Sequence, residues 1–99
     1  MKIYLTAIAK AKPEFTSEIK TALERMVVET KKEKACIQYD LHQGIDDANT
    51  FVFYEIWEDQ AGLDLHNNQP YIQEFVAMAA AKLQEPPTII KMTKVEDEL

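Results

Sequence analysis

The sequence predicts an α+β domain in the order βαββαβ, with four strands in one antiparallel sheet and the helices on one of its faces. Three observations predict it. A long stretch with helical periodicity separates the first two strand-like runs. A hairpin-length, turn-rich link joins the second and third runs, and a helix opened by proline precedes a last strand. This is the split βαβ, or ferredoxin-like, arrangement.

Residues 2–9 carry apolar side chains in both alternating sets, Ile3, Leu5 and Ala7 against Tyr4, Thr6 and Ile8, as a strand covered on both faces does. Pro13 suits the first turn of a helix, where its missing N–H costs nothing. From there Phe15, Ile19, Ala22, Leu23, Met26, Val27 and Thr30 recur at three- and four-residue spacing, predicting an amphipathic helix of four to five turns. Residues 36–42 form a second strand with Ile37, Tyr39 and Leu41 alternating with Cys36, Gln38, Asp40 and His42. Gly, Asp and Asn break the chain over residues 43–49, and residues 51–57, rich in aromatic and β-branched side chains, form a third strand. Asp59 is placed to cap a short helix bearing Leu63, Leu65 and His66. Pro70 opens a longer helix, with Tyr71, Ile72, Phe75, Val76, Ala79 and Leu83 as its apolar set, predicted to run to about Gln84 before Pro86-Pro87 stops it. Residues 88–93 are the fourth strand. One domain over residues 1–99 is expected, with its core at about 2–93 and an acidic, frayed end at 95–99.

A chain of 99 residues holds one modest core, and its 46% hydrophobic content is that of a globular domain. The net charge of −6, with the few Lys and Arg residues scattered or in the helical stretch at 31–34 beside acids, argues against nucleic acid as a partner. No run approaches the roughly 18–20 apolar residues of a membrane span. The N-terminal residues lack the apolar segment and cleavage site of a secretion signal, so a cytoplasmic location is expected. Cys36 is the only cysteine, and His42 and His66 stand without a flanking carboxylate pattern, so no metal site is expected.

Helices on one face leave the other face of the sheet bare, yet the first and third strands are apolar on both. Phe51, Phe53, Glu55 and Trp57 alternate with Val52, Tyr54 and Ile56. A second copy packing on the bare face, closing a dimeric α/β barrel, is the expected cover.

The run 34–41, Lys-Ala-Cys-Ile-Gln-Tyr-Asp-Leu, resembles the second strand of the antibiotic biosynthesis monooxygenase (ABM) family, which usually opens Pro-Gly-Cys. The third strand, Phe53-Tyr54-Glu55-Ile56-Trp57, resembles that family's Glu-x-Trp, and His66-Asn67-Asn68-Gln69-Pro70-Tyr71 resembles its His-x-x-x-Pro step into the second long helix. The likeness spans about residues 2–93. Lys34-Ala35 departs from Pro-Gly, and Tyr71 stands where many members have a second histidine.

The resemblance implies a homodimer with a pocket between sheet and helices in each subunit. For several members it also implies oxidation of quinol- or phenol-like aromatics by molecular oxygen without flavin, haem or metal. Such chemistry draws its electrons from the substrate anion, so the protein must supply a base, a polar group for the anion and a dry aromatic pocket. On this reading His66, Glu55 and Trp57 are the catalytic candidates. His66 is the first choice of base. Glu55, a carboxylate on an apolar strand face, either orients His66, acts as base with a raised pKa, or forms a structural ion pair. Trp57 stacks on a planar ligand, Tyr39, Phe53, Tyr71 and Phe75 line the same space, and Tyr71 donates to an oxyanion. His42 is expected in solvent and Cys36 as a small core residue. The alternatives are an isomerase of a small phosphorylated carbonyl compound and a non-catalytic dimer that binds a small ligand. Haem degradation is disfavoured, because the first strand lacks the asparagine that branch uses.

Overall fold

The structure, a computed structural model, describes residues 1–98. Strand β1 (Ile3–Lys10) leads through a 3-10 turn at Pro13–Phe15 into helix α1 (Thr16–Thr30). Strands β2 (Cys36–Gln43) and β3 (Thr50–Trp57) form the hairpin. Helices α2 (Gln60–Asn67) and α3 (Pro70–Ala79), then strand β4 (Thr88–Met92) and a short 3-10 turn at Val95–Glu98, complete the chain. The sheet order is β2-β3-β1-β4 with every neighbouring pair antiparallel, so the ferredoxin-like expectation holds.

The register explains which side chains face the helices. Leu5 lies opposite Glu55 and Lys91, and Ala7 opposite Phe53 and Ile89, so one sheet face carries Leu5, Ala7, Phe53, Glu55, Ile89 and Lys91. Helix α1 covers that face with a stripe of Ile19, Leu23, Met26 and Thr30, at the spacing read from sequence. The opposite face carries Tyr4, Ile8, Val52, Tyr54, Ile56, Ile90 and Met92, of which Tyr54 and Ile90 are exposed and the others half-buried within one chain. Among the described residues no helix is long and apolar enough to cross a membrane.

Three sequence expectations are corrected. The stretch at 31–34 is not helical. It is a turn, held by Glu33 N–H donating to Thr30 O at 2.9 Å and Cys36 N–H to Glu33 O at 3.1 Å. Second, β2 contains a bulge between Cys36 and Gln38, which brings Cys36 onto the same face as Tyr39 and Leu41 instead of the opposite one. Third, α3 ends at Ala79 and does not reach Gln84. Beyond it Lys82 O accepts from Lys12 N–H at 2.9 Å, Gln84 N–H donates to Lys10 O at 2.7 Å, and Leu83 bridges to Ala11. Pairing with the end of β1 has claimed backbone groups that local propensity would have put into another helical turn. Of the acidic end, Leu99 lies outside the described residues.

Candidate active site

The site is assembled from β2, β3, α2 and the turn between α1 and β2. Asp59 sits in extended conformation before α2, and its Oδ1 accepts from Gly62 N–H at 2.8 Å, an N-cap that fixes where the helix starts. Helical spacing then turns Gly62, Leu63 and His66 inward. Gly62 is required by a close approach: a Cβ there would lie 2.3 Å from Ala35 Cβ.

His66 is 5% exposed and its ring lies 4.5 Å from that of Trp57 at 40°. Its Nδ1 lies 2.7 Å from Glu33 Oε2. The hydroxyl of Tyr71 donates to the same oxygen, and Thr30 Oγ1 is 3.1 Å from that hydroxyl. A carboxylate only accepts, so Nδ1 carries the hydrogen, and in the neutral ring the lone pair is on Nε2. Among the described residues no fully buried side-chain nitrogen or oxygen lacks a partner. Nε2, which makes no such bond, therefore meets open space, and the space His66 lines is the cavity described next.

That cavity, about 450 Å³, opens between the sheet and helices α1, α2 and α3. Its wall is mainly apolar, with Leu5, Leu23, Met26, Phe53, Ile72 and Phe75 among the contributors, and Tyr39, Glu55 and His66 are its inner polar groups. Lys91, Gln60 and Asp64 also line it, and they are joined: Lys91 Nζ donates to Gln60 Oε1 at 2.9 Å and Gln60 Nε2 to Asp64 Oδ1 at 2.8 Å. The size and the balance of apolar wall and few polar groups are those of a site for a small organic ligand. Among the described residues no group of three His, Cys, Asp or Glu converges to hold a metal ion.

Glu55 is 4% exposed, and Trp57 Nε1–H donates to its Oε1 at 2.9 Å. Burial raises its pKa from the ordinary 4.5 to about 7. The Trp57 hydrogen bond opposes that rise and the Glu33 charge adds to it. Burial also lifts Tyr39 above the usual phenol range, with Glu55 adding to it, and lifts Tyr71, whose hydrogen bond to Glu33 acts in the same sense. Burial, with help from Glu33 and Glu55, pushes the Cys36 thiol up to about 11, which suits an inert half-buried residue better than a nucleophile.

The chain thus brings His66, Glu55, Tyr39, Phe53 and Phe75 onto one cavity, and two sequence expectations change. Trp57, fully buried, does not line the cavity. It backs His66 and bonds Glu55, so it is not a stacking surface for a ligand. Tyr71 does not line the cavity either, and its hydroxyl is committed to Glu33 and Thr30 rather than aimed at an oxyanion. The residue that orients His66 is Glu33, not Glu55. In sequence Glu33 reads as part of a lysine-rich helical stretch, with no role at the site. His42 is exposed, as expected.

The model of the family described as antibiotic biosynthesis monooxygenase matches residues 3–78. The chain belongs to the ABM family. Over 89 residues it is 34% identical to the protein named Putative monooxygenase YcnE of Bacillus subtilis (strain 168), covering 90% of this chain and 94% of that one. The crystal structure of PA3566 from Pseudomonas aeruginosa superposes with a TM-score of 0.89 at 30% identity, covering 94% of this chain and 93% of that one. A conserved protein from Methanosarcina mazei Go1 does so with a TM-score of 0.88 at 26% identity, over 95% and 93% of the two chains. This ABM chain therefore shares its fold along nearly its whole length with these relatives.

Proposed function

We propose that this ABM chain is a monooxygenase that oxidises a small phenol- or quinol-like aromatic with molecular oxygen, working as a single-domain homodimer. One observation carries the reading: two proton acceptors, Glu55 with a pKa of about 7 and His66 with its bare Nε2, line the same apolar cavity. A carboxyl poised near neutrality is matched to taking a phenolic proton, and its apolar surroundings exclude the water that would otherwise compete. The monooxygenase name of the Bacillus relative supports the same class.

The steps follow from that geometry. The substrate hydroxyl gives its proton to Nε2 of His66 or to Glu55, leaving an electron-rich aryloxide. That anion passes one electron to oxygen, and the resulting aryl radical and superoxide join through a new C–O bond. The hydroperoxide then loses water. One oxygen atom remains as the product carbonyl, the other leaves in water with two hydrogens from the substrate, and the electrons come from the ring. Trp57 holds Glu55 and supports the His66 ring. Among the described residues that line the cavity Lys91 is the single lysine or arginine, and it is bonded to Gln60, which fits an uncharged aromatic better than a phosphorylated compound.

The homodimer reading rests on the uncovered sheet face, where Tyr4, Ile8, Val52, Tyr54, Ile56, Ile90 and Met92 make an apolar layer that a second copy would hide. Oxygen-electrode assays with quinols and anthrone-like phenols test the activity. Consumption of oxygen without added flavin or metal, reduced in His66→Ala and in Trp57→Phe, is the expected result. Equal rates in both variants would exclude the site, and a requirement for flavin would reassign the class.

A further inference from the structure

We propose that Glu33 is a positioning residue that also gives His66 a proton exit, connecting the cavity to a separate outer recess rather than to the cavity mouth. This rests on the reading of the cavity as a site of proton abstraction. The recess is lined by Glu33, Lys34, Ala35, Glu58, Asp59, Gly62, Leu65 and Gln69, and shares no residue with the cavity lining.

Helix α2 is the partition between the two spaces. Its Gln60, Leu63, Asp64 and Asn67 line the cavity, and its Gly62 and Leu65 line the recess. His66 follows Gly62 by four residues and Leu63 by three, so it stands at the seam between the two stripes. Glu33 faces it from the recess side, with a side chain 11% exposed. Oε2 takes both His66 Nδ1–H and the Tyr71 hydroxyl, whereas among the described residues Oε1 has no hydrogen-bond partner and is not a buried orphan, so it is the oxygen left for the recess that Glu33 lines.

The route balances without any added reactant. A substrate proton arrives at Nε2 as the Nδ1 proton moves to Glu33, which exchanges it with water in the recess. The reverse sequence returns a proton when the peroxide leaves as water. The substrate proton then leaves on the recess side of α2 and does not cross the cavity mouth. Tyr71 and Thr30 keep Oε2 in line with Nδ1.

Nitrogen-15 spectra of the His66 ring, with sodium formate as the probe, test this independently of turnover. The wild type should show a protonated Nδ1 and a bare Nε2. Glu33→Ala should shift the tautomer ratio toward Nε2–H by about tenfold or more, the size of a lost charge-assisted hydrogen bond, and formate entering the vacated recess should restore it. In the oxygen assay Glu33→Ala should lower kcat about tenfold with KM little changed, again restored by formate, whereas His66→Ala should not respond to formate. Glu33→Gln, which keeps the bulk but cannot take a proton, serves if the alanine variant does not fold, and should slow exchange of the Nδ1 hydrogen with water. A wild-type ring protonated at Nε2, or formate without effect on tautomer and rate, would overturn the inference. A formate-sensitive tautomer in a protein that oxidises no phenol would instead retire the oxygenase reading and leave the proton exit standing.

Discussion

The indole N–H of Trp57 donates to Glu55 Oε1 at 2.9 Å, so the one buried carboxylate on the apolar sheet face is held by a fully buried ring two residues along the same strand. Residues two apart in a strand point the same way, which is why this pair forms without any other element. The bond leaves the carboxyl in place but does not neutralise it.

Glu55 makes folding pH-dependent. Its folded pKa, about 7, lies above the ordinary 4.5, so the native state holds the proton more tightly than the unfolded chain. The stabilisation is complete below pH 4.5 and is lost as the pH rises through about 7. Between those limits the wild type should lose about 3 kcal/mol relative to Glu55→Gln, as read by urea unfolding from pH 4.5 to 8. Parallel pH curves for the two proteins would remove the raised pKa.

Trp57→Phe removes the donor that lowers the Glu55 pKa. The carboxyl should then titrate above 7, seen by carbon-13 spectra of the Glu55 side chain, and the pH at which oxygen consumption is half-maximal should move up with it. A titration unmoved by the substitution would mean that the indole does not act on the carboxyl.

Gly62→Ala should destabilise the fold by about 1–3 kcal/mol, although alanine is ordinarily the better helix former. The added methyl would meet Ala35 Cβ at 2.3 Å. Ala35→Gly in the same protein should recover most of the loss, and a double-mutant cycle in thermal unfolding measures the coupling. Additive effects would show that the close approach is not what requires glycine.

Tyr54→Asp places a charge at the centre of the uncovered sheet face. If two copies meet there, dimerisation should weaken by about a hundredfold or more, since a buried unpaired charge costs several kcal/mol. Sedimentation equilibrium of variant and wild type reads this directly, and a wild type that is monomeric at micromolar concentration would exclude the sheet-face dimer.

Much of this was legible in the sequence because it depends on local patterns. Pro13 and Pro70 mark helix starts, Asp59 is a cap, and the Glu55-x-Trp57 spacing puts both side chains on one face. What was not legible depends on pairings between distant segments. Glu33 reads as part of a lysine-rich helical stretch, and only its approach to His66, 33 positions on, gives it a role. The bulge after Cys36 reverses a face through the register with β3, and α3 stops short because β1 claims the backbone beyond it. The family resemblance and their aromatic character put Trp57 and Tyr71 in the ligand space. Burial against His66 and bonding to Glu33 put them behind it.

The claim on which the account turns is that this cavity ionises a phenol, and anaerobic binding of a chromophoric hydroxyanthraquinone at pH 7.5 tests it most directly. The wild type should bind the dye with the absorbance of its anion, and the His66→Ala, Glu55→Gln double variant should bind it with the absorbance of the neutral form. A neutral-form spectrum in the wild type, or an anion spectrum that survives in the double variant, would contradict it.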